Sequence, residues 1–309
     1  MGKRAILFPG QGSQYVGMAK DIAGNSSLAK ELFELAEKIL GYKISEIMFD
    51  GPKEKLQQTQ ITQPAIFIHG SLLWNLVKGN LSADGFAGHS LGEYTAVFAS
   101  GALTFEEALT LVKKRAEAMA EAGEIQPGTM AAIIGLDKSK ITEICNVASS
   151  VGIVTPANFN SPGQIVISGS VAGVNKAVEL SKEAGAKLAR LLPVSGAFHS
   201  PLMESAQKKL TEALDSVNMK DTATPVYANV TARPVYSGIE IKELLKKQLF
   251  SPVLWESTIR NMIADGFTEF IEIGPGKVLQ GLVKRIDKSV SIYGIDKFED
   301  IESFKNVIS

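Results

Sequence analysis

The pentapeptide Gly88-His89-Ser90-Leu91-Gly92 constrains this chain more than any other feature. It has the form G-x-S-x-G and lies between a short extended run, Asp84–Gly88, and a helical pattern over Leu91–Ser100. A strand that turns sharply into a helix around a serine needs glycine on both sides, because backbone segments approach too closely for a Cβ. Such a turn lifts the serine hydroxyl over the helix N-terminus. It also aims the following backbone N–H, that of Leu91, at an incoming oxyanion. The context implies α/β architecture and makes Ser90 a candidate nucleophile.

The rest of the 309 residues fits that class, since helical and extended patterns alternate throughout. A first strand is predicted over Arg4–Phe8, ended by Pro9-Gly10, and helices over Ser27–Leu40 and Pro64–Lys78, with Pro64 in a first turn. Thr104 and Glu107 form a capping box that starts a helix expected to end near Ala122, where Gly123 can stop it. From 129 to 193 the order becomes β-α-β-β-α-β, the ferredoxin-like unit. Helices near Pro201–Ser216, Ile239–Leu249, Val253–Ala264 and Lys277–Arg285, and strands near Pro225–Ala228, Thr268–Ile273 and Val290–Tyr293, resume the longer pattern. The expected organisation is an α/β-hydrolase-like core, residues 1–126 and 197–309, interrupted by a small ferredoxin-like subdomain, residues 127–196.

Composition narrows the chemistry. Thirty-two Lys and Arg stand against 33 Asp and Glu, a net charge of −1. A globally basic binder of nucleic acid or of membrane surfaces is therefore not expected. No apolar run approaches the roughly 18 residues of a membrane span. Ala5–Phe8 is too short for the apolar region of a signal peptide, so a cytoplasmic location is expected. The single cysteine, Cys145, permits neither an internal disulfide nor a cysteine-based zinc site. With three histidines in all, no metal site is expected.

A serine nucleophile needs a base. His89 adjoins Ser90, and successive side chains at such a turn diverge. His69 sits in the apolar run Ala65–Leu73 and reads as a packed or capping residue. His199 remains, in the loop Gly196-Ala197-Phe198-His199-Ser200-Pro201, where catalytic groups tend to sit. The group that orients His199 stays open at this level: an acid anywhere in the chain, or a backbone carbonyl that fixes the tautomer.

Several further segments carry a resemblance. They are Phe8-Pro9-Gly10-Gln11-Gly12-Ser13-Gln14, the elbow extended to Glu93-Tyr94, Arg115 on the next long helix, and Asn158-Phe159-Asn160-Ser161-Pro162-Gly163-Gln164. Gly196–His199, Gln248–Val253 and Gly274-Pro275-Gly276-Lys277-Val278-Leu279 complete the set. In order and over essentially the whole chain, this resembles the malonyl-CoA:acyl carrier protein transacylases of type II fatty acid synthesis. It is also similar to the acyltransferase domains of fatty acid and polyketide megasynthases.

The resemblance implies ping-pong acyl transfer, from malonyl-CoA to the phosphopantetheine thiol of acyl carrier protein. Ser90 would carry the acyl group, and His199, oriented by the main-chain carbonyl of Gln248, would be its base. The backbone N–H groups of Gln11 and Leu91 would form the oxyanion hole. Arg115, whose plain reading beside Lys113 and Lys114 is a solvated basic face, would hold the malonate carboxylate. A guanidinium fork suits that task and an ammonium does not. Phe198 would crowd out an α-methyl group; its plain reading is packing. Gln63, Asn158 and Asn160 match positions near the active site. The implied protein is a monomer with no cofactor beyond CoA as substrate. A basic rim drawn from Lys113, Lys114, Lys187, Arg190, Lys284 and Arg285 would steer the acidic carrier. The competing reading is a serine esterase or thioesterase of α/β-hydrolase type, which needs no carboxylate clamp.

Overall fold

In the computed structural model, which describes residues 2–194 and 196–308, the first strand β1 (Lys3–Phe8) is buried on both faces. Ala5 and Leu7 enter one apolar cluster while Ile6 and Phe8 enter another, as the two-residue period of a strand requires. Burial on both faces is what a parallel strand covered by helices shows. Accordingly β1 pairs in parallel with β2 (Gly85–Gly88) and β9 (Phe267–Ile273), and β9 pairs in parallel with β10 (Ser291–Ile295). On the far side β2 meets β7 (Val226–Tyr227), and the short antiparallel β8 (Pro234–Val235) closes the edge. The sheet order is β10-β9-β1-β2-β7-β8.

A second sheet comes from the middle of the chain. It comprises β3 (Gly128–Ile134), β4 (Val154–Ser161), β5 (Gln164–Ser170) and β6 (Leu188–Leu191), all antiparallel, in the order β4-β5-β3-β6. Helices Lys138–Ala148 and Val171–Glu183 cover one face, burying Ala131, Ile133, Ile165 and Ile167 with Ile141, Ile144 and Val174. The alternate residues Met130, Ala132 and Val166 face the central cleft. One bridge ties this sheet to the main body. The Val253 N–H donates to the Ala157 carbonyl at 2.8 Å, and the Phe159 N–H donates to the Val253 carbonyl at 2.9 Å.

Two expectations are corrected. Pro64 lies inside helix Thr59–Val77, not in its first turn. Its missing N–H would leave the Gln60 carbonyl without a donor. The Tyr42 hydroxyl donates to that carbonyl instead, at 3.2 Å, and near-complete burial of the helix outweighs the proline. Gly123 does not end its helix. It is buried within Phe105–Ile125, which stops at Gln126. The short helices Lys20–Asn25, Ile44–Asp50 and Lys53–Leu56, and the last helix Phe298–Ile308, are not among the predicted elements. Among the described residues no helix is long and apolar enough to cross a membrane.

Candidate active site

β2 runs into the elbow, and the helix Gly92–Ala99 leaves it. A Cβ on Gly88 would overlap the backbone of Gly92, and one on Gly92 would overlap the Phe8 carbonyl, so both glycines are steric necessities. Ser90 adopts φ 53°, the left-handed region, which a non-glycine residue occupies at a cost. Asn229 holds it there. Its Oδ1 accepts from the Ser90 N–H at 2.7 Å and its Nδ2 donates to the Gly88 carbonyl at 2.6 Å.

The structure brings His199 to this serine. Ser90 Oγ lies 2.8 Å from His199 Nε2, and His199 Nδ1 donates to the Gln248 carbonyl at 2.9 Å. A donor bond at Nδ1 leaves Nε2 as the acceptor, the tautomer a general base requires. His199 too has a left-handed backbone, φ 59°. Burial, then the positive charge of Arg115, lowers its pKa to about 3, so the imidazole is neutral and ready to take a proton. Among the described residues, no carboxylate touches it.

Arg115 is fully buried, and the solvated basic face is not what forms. On helix Phe105–Ile125 it continues the buried stripe Phe105, Ala108, Val112, Met119, while Lys113 reaches the Ile39 carbonyl and Lys114 faces Glu117. Its Nη1 donates to Gln63 Oε1 at 2.6 Å, and its Nη2 donates to Gln248 Oε1 at 2.9 Å and to Ser90 Oγ at 3.1 Å. The guanidinium lies over the Tyr94 ring, 5.4 Å from its centroid. Among the described residues its Nε has no partner and no carboxylate pairs with it. A buried cation with no carboxylate in direct contact is expensive, with only the more distant Glu93 opposing its charge, and an anionic ligand would relieve it.

Ser90, His199, Arg115 and Gln63 line one cleft of about 270 Å³ between the two sheets, with Gln11, Leu91, Phe198 and Asn160 also in its wall. The backbone N–H groups of Gln11 and Leu91 donate to no other described residue. His89 is turned away from Ser90: its Nε2 meets Asn160 Oδ1 at 2.8 Å, joining the two sheets across the cleft. His69 is buried elsewhere, with Nε2 2.8 Å from the Asp296 carbonyl. Sequence reasoning missed two residues. Glu93 is buried, and its Oε2 accepts from Gln248 Nε2 at 2.6 Å and from the Asn229 N–H at 3.2 Å. Burial pushes its carboxyl up to about 7 against the lowering pull of those donors and of Arg115. An acid on an otherwise apolar helix was a readable signal for Glu93. Asn229, far off in the chain, offered none.

Residues 6–303 match the acyl transferase domain family. The malonyl CoA-acyl carrier protein transacylase of Bacillus subtilis is 46% identical over 304 residues, spanning 98% of this chain and 96% of that one. The solved malonyl CoA-acyl carrier protein transacylase of Coxiella burnetii superposes with a TM-score of 0.95 at 38% identity, covering 99% of this chain and 98% of the other. A malonyl-transacylase solved in complex with a type II PKS acyl-carrier protein gives 0.94 at 37% identity over 99% of both chains. The chain belongs to the acyl transferase domain family and, within it, to the malonyl CoA-acyl carrier protein transacylases.

Proposed function

We propose that this protein transfers a malonyl group from malonyl-CoA to the phosphopantetheine thiol of an acyl carrier protein, in fatty acid synthesis. The observation that carries the reading is Arg115, a buried guanidinium that no carboxylate among the described residues contacts and whose Nη2 lies 3.1 Å from the Oγ of a histidine-paired serine. A carboxylate one methylene from a thioester carbonyl fits that spacing. A serine esterase has no use for such a cation.

The steps follow from the atoms present. His199 Nε2 takes the Ser90 hydroxyl proton as Oγ attacks the thioester carbon. The N–H groups of Gln11 and Leu91 receive the oxyanion. The C–S bond breaks, and the CoA sulfur leaves with the proton from His199. The malonate carboxylate takes up the Arg115 fork. The carrier thiol then gives its proton to His199, attacks the seryl ester, and regenerates Ser90. None of these steps calls for a metal or a bound cofactor. The Phe198 ring in the cleft wall opposes an α-methyl branch, and Arg285 and Lys284, exposed beyond Leu282, offer a basic edge to an acidic carrier. We assign residues 1–126 and 197–309 to an α/β-hydrolase-like catalytic part and 127–196 to a ferredoxin-like part. The protein works as a monomer in the cytoplasm in this reading.

Intact-mass analysis after separate mixing with malonyl-, methylmalonyl- and acetyl-CoA tests the proposal. Malonyl addition that is absent in Ser90→Ala and passes to holo carrier protein is expected. Rapid hydrolysis of simple esters without stable malonyl addition overturns it.

A further inference from the structure

Glu93 touches neither Ser90 nor His199 through its side chain, yet it lies under the whole site. Glu93 Oε2 already accepts from the Asn229 N–H, which marks that oxygen as an acceptor, and a backbone carbonyl can only accept. Gln248 Nε2 donates to two such groups, Glu93 Oε2 at 2.6 Å and the Ser90 carbonyl at 2.9 Å. The amide nitrogen is thereby committed, and Gln248 Oε1 must face the other way. There it accepts from Arg115 Nη2 at 2.9 Å. Turned over, the amide would present N–H groups to a guanidinium that has only N–H groups to offer. The second arm of the clamp is set independently: Gln63 Oε1 accepts from Nη1, and Gln63 Nε2 points to Met119 Sδ.

We propose that Glu93 is a positioning residue for acyl-group selection: by fixing the orientation of the Gln248 side-chain amide, it holds Arg115 in the pose that receives a carboxylate. This rests on the malonyl-transfer reading above. The same residue also serves the base, because the Gln248 carbonyl orients His199. That second service affects every acyl donor alike, whereas the amide affects only donors that use Arg115. The ratio of malonyl to acetyl acylation therefore isolates the clamp.

The test measures kcat/KM for Ser90 acylation by malonyl-CoA and by acetyl-CoA in four variants, each checked for folding by thermal melt. Glu93→Leu removes the acceptor and is expected to lower the malonyl-to-acetyl ratio by about 10- to 100-fold, the loss of one hydrogen bond to a charged group. Glu93→Gln can still accept both bonds through its amide oxygen and is expected to keep the ratio. Gln248→Leu, which retains the main-chain carbonyl, is expected to lower the ratio as Glu93→Leu does, and adding Glu93→Leu to it should lower the ratio no further. If Glu93→Leu does not fold, Glu93→Asp, which withdraws the acceptor by one methylene, takes its place with a fall in the same direction. A folded Leu or Asp variant that loses both activities equally, or keeps the ratio, overturns the proposal. Wild-type protein that forms no malonyl-Ser90 overturns the malonyl-transfer reading instead, a separate result.

Discussion

Removing the Arg115 side chain is the sharpest perturbation of this site. Arg115→Ala deletes a fully buried fork whose Nη1 and Nη2 both point to the cleft side of the helix and already hold Gln63, Gln248 and Ser90. A bound malonyl carboxylate would lose two charge-assisted hydrogen bonds. At about 1.5–3 kcal/mol each, the loss is about 3–6 kcal/mol, or roughly 10²- to 10⁴-fold in malonyl kcat/KM. Acetyl-CoA has no carboxylate to lose, and the variant no longer buries a cation that no carboxylate contacts. Its acylation should therefore persist or rise. The same change removes the Arg115 charge, the second of the causes that hold the His199 pKa down, leaving burial as the main one with His89 behind it. Arg115→Lys should recover little, because an ammonium cannot form the planar pair. The assay is Ser90 acylation followed by rapid quench and mass analysis with each CoA ester. An unchanged malonyl-to-acetyl preference in a folded variant refutes the reasoning.

Acylation kcat/KM should stay flat well below pH 6 and fall only toward the His199 value of about 3, because neutral imidazole is the active form; a pH–rate profile with an acidic limb near 6.5 contradicts this. Asn229→Ala should release the elbow, leaving the Ser90 N–H and the Gly88 carbonyl unpaired at about 1–3 kcal/mol each, read as a lowered urea midpoint together with slower acylation of every donor. Burial raises the Glu272 carboxyl from 4.5 to about 7, so between those values the folded chain keeps a proton that the unfolded chain has released. Stability from this group is complete below pH about 4.5 and is lost as pH rises through about 7. Melting curves of Glu272→Gln across that range should fall less steeply with pH than those of the wild type; identical slopes would remove Glu272 from the effect.

The elbow was legible because its strand, turn and helix are contiguous and its glycines answer a local steric demand. His199 could be read from scarcity, since two of the three histidines sit in unsuitable contexts. Gln248 acts through a main-chain atom, which any residue possesses, and only the family resemblance pointed to it. Arg115 looked like a surface cation while judged beside its two lysines. It reads as buried once the stripe from Phe105 to Met119 is counted around the helix. The Pro64 and Gly123 expectations failed for a shared reason. Local propensity was overridden by burial, with Tyr42 filling the gap at Pro64 in a way no local window reveals. Of the support beneath the site, Asn229 is invisible in sequence because its partners lie more than a hundred positions away.

The paired bonds between Val253 and the strand β4 bear on how such proteins can be recombined. β4 carries Asn158 and Asn160, and Asn160 reaches across to His89. The register of that strand is set partly by a residue almost a hundred positions later. A chimera that exchanges only residues 127–196 inherits the strand but not its splint, and Asn160 then meets a foreign Val253 segment. The heritable cassette is therefore discontinuous: the central stretch travels intact only when the segment around Val253 crosses over with it.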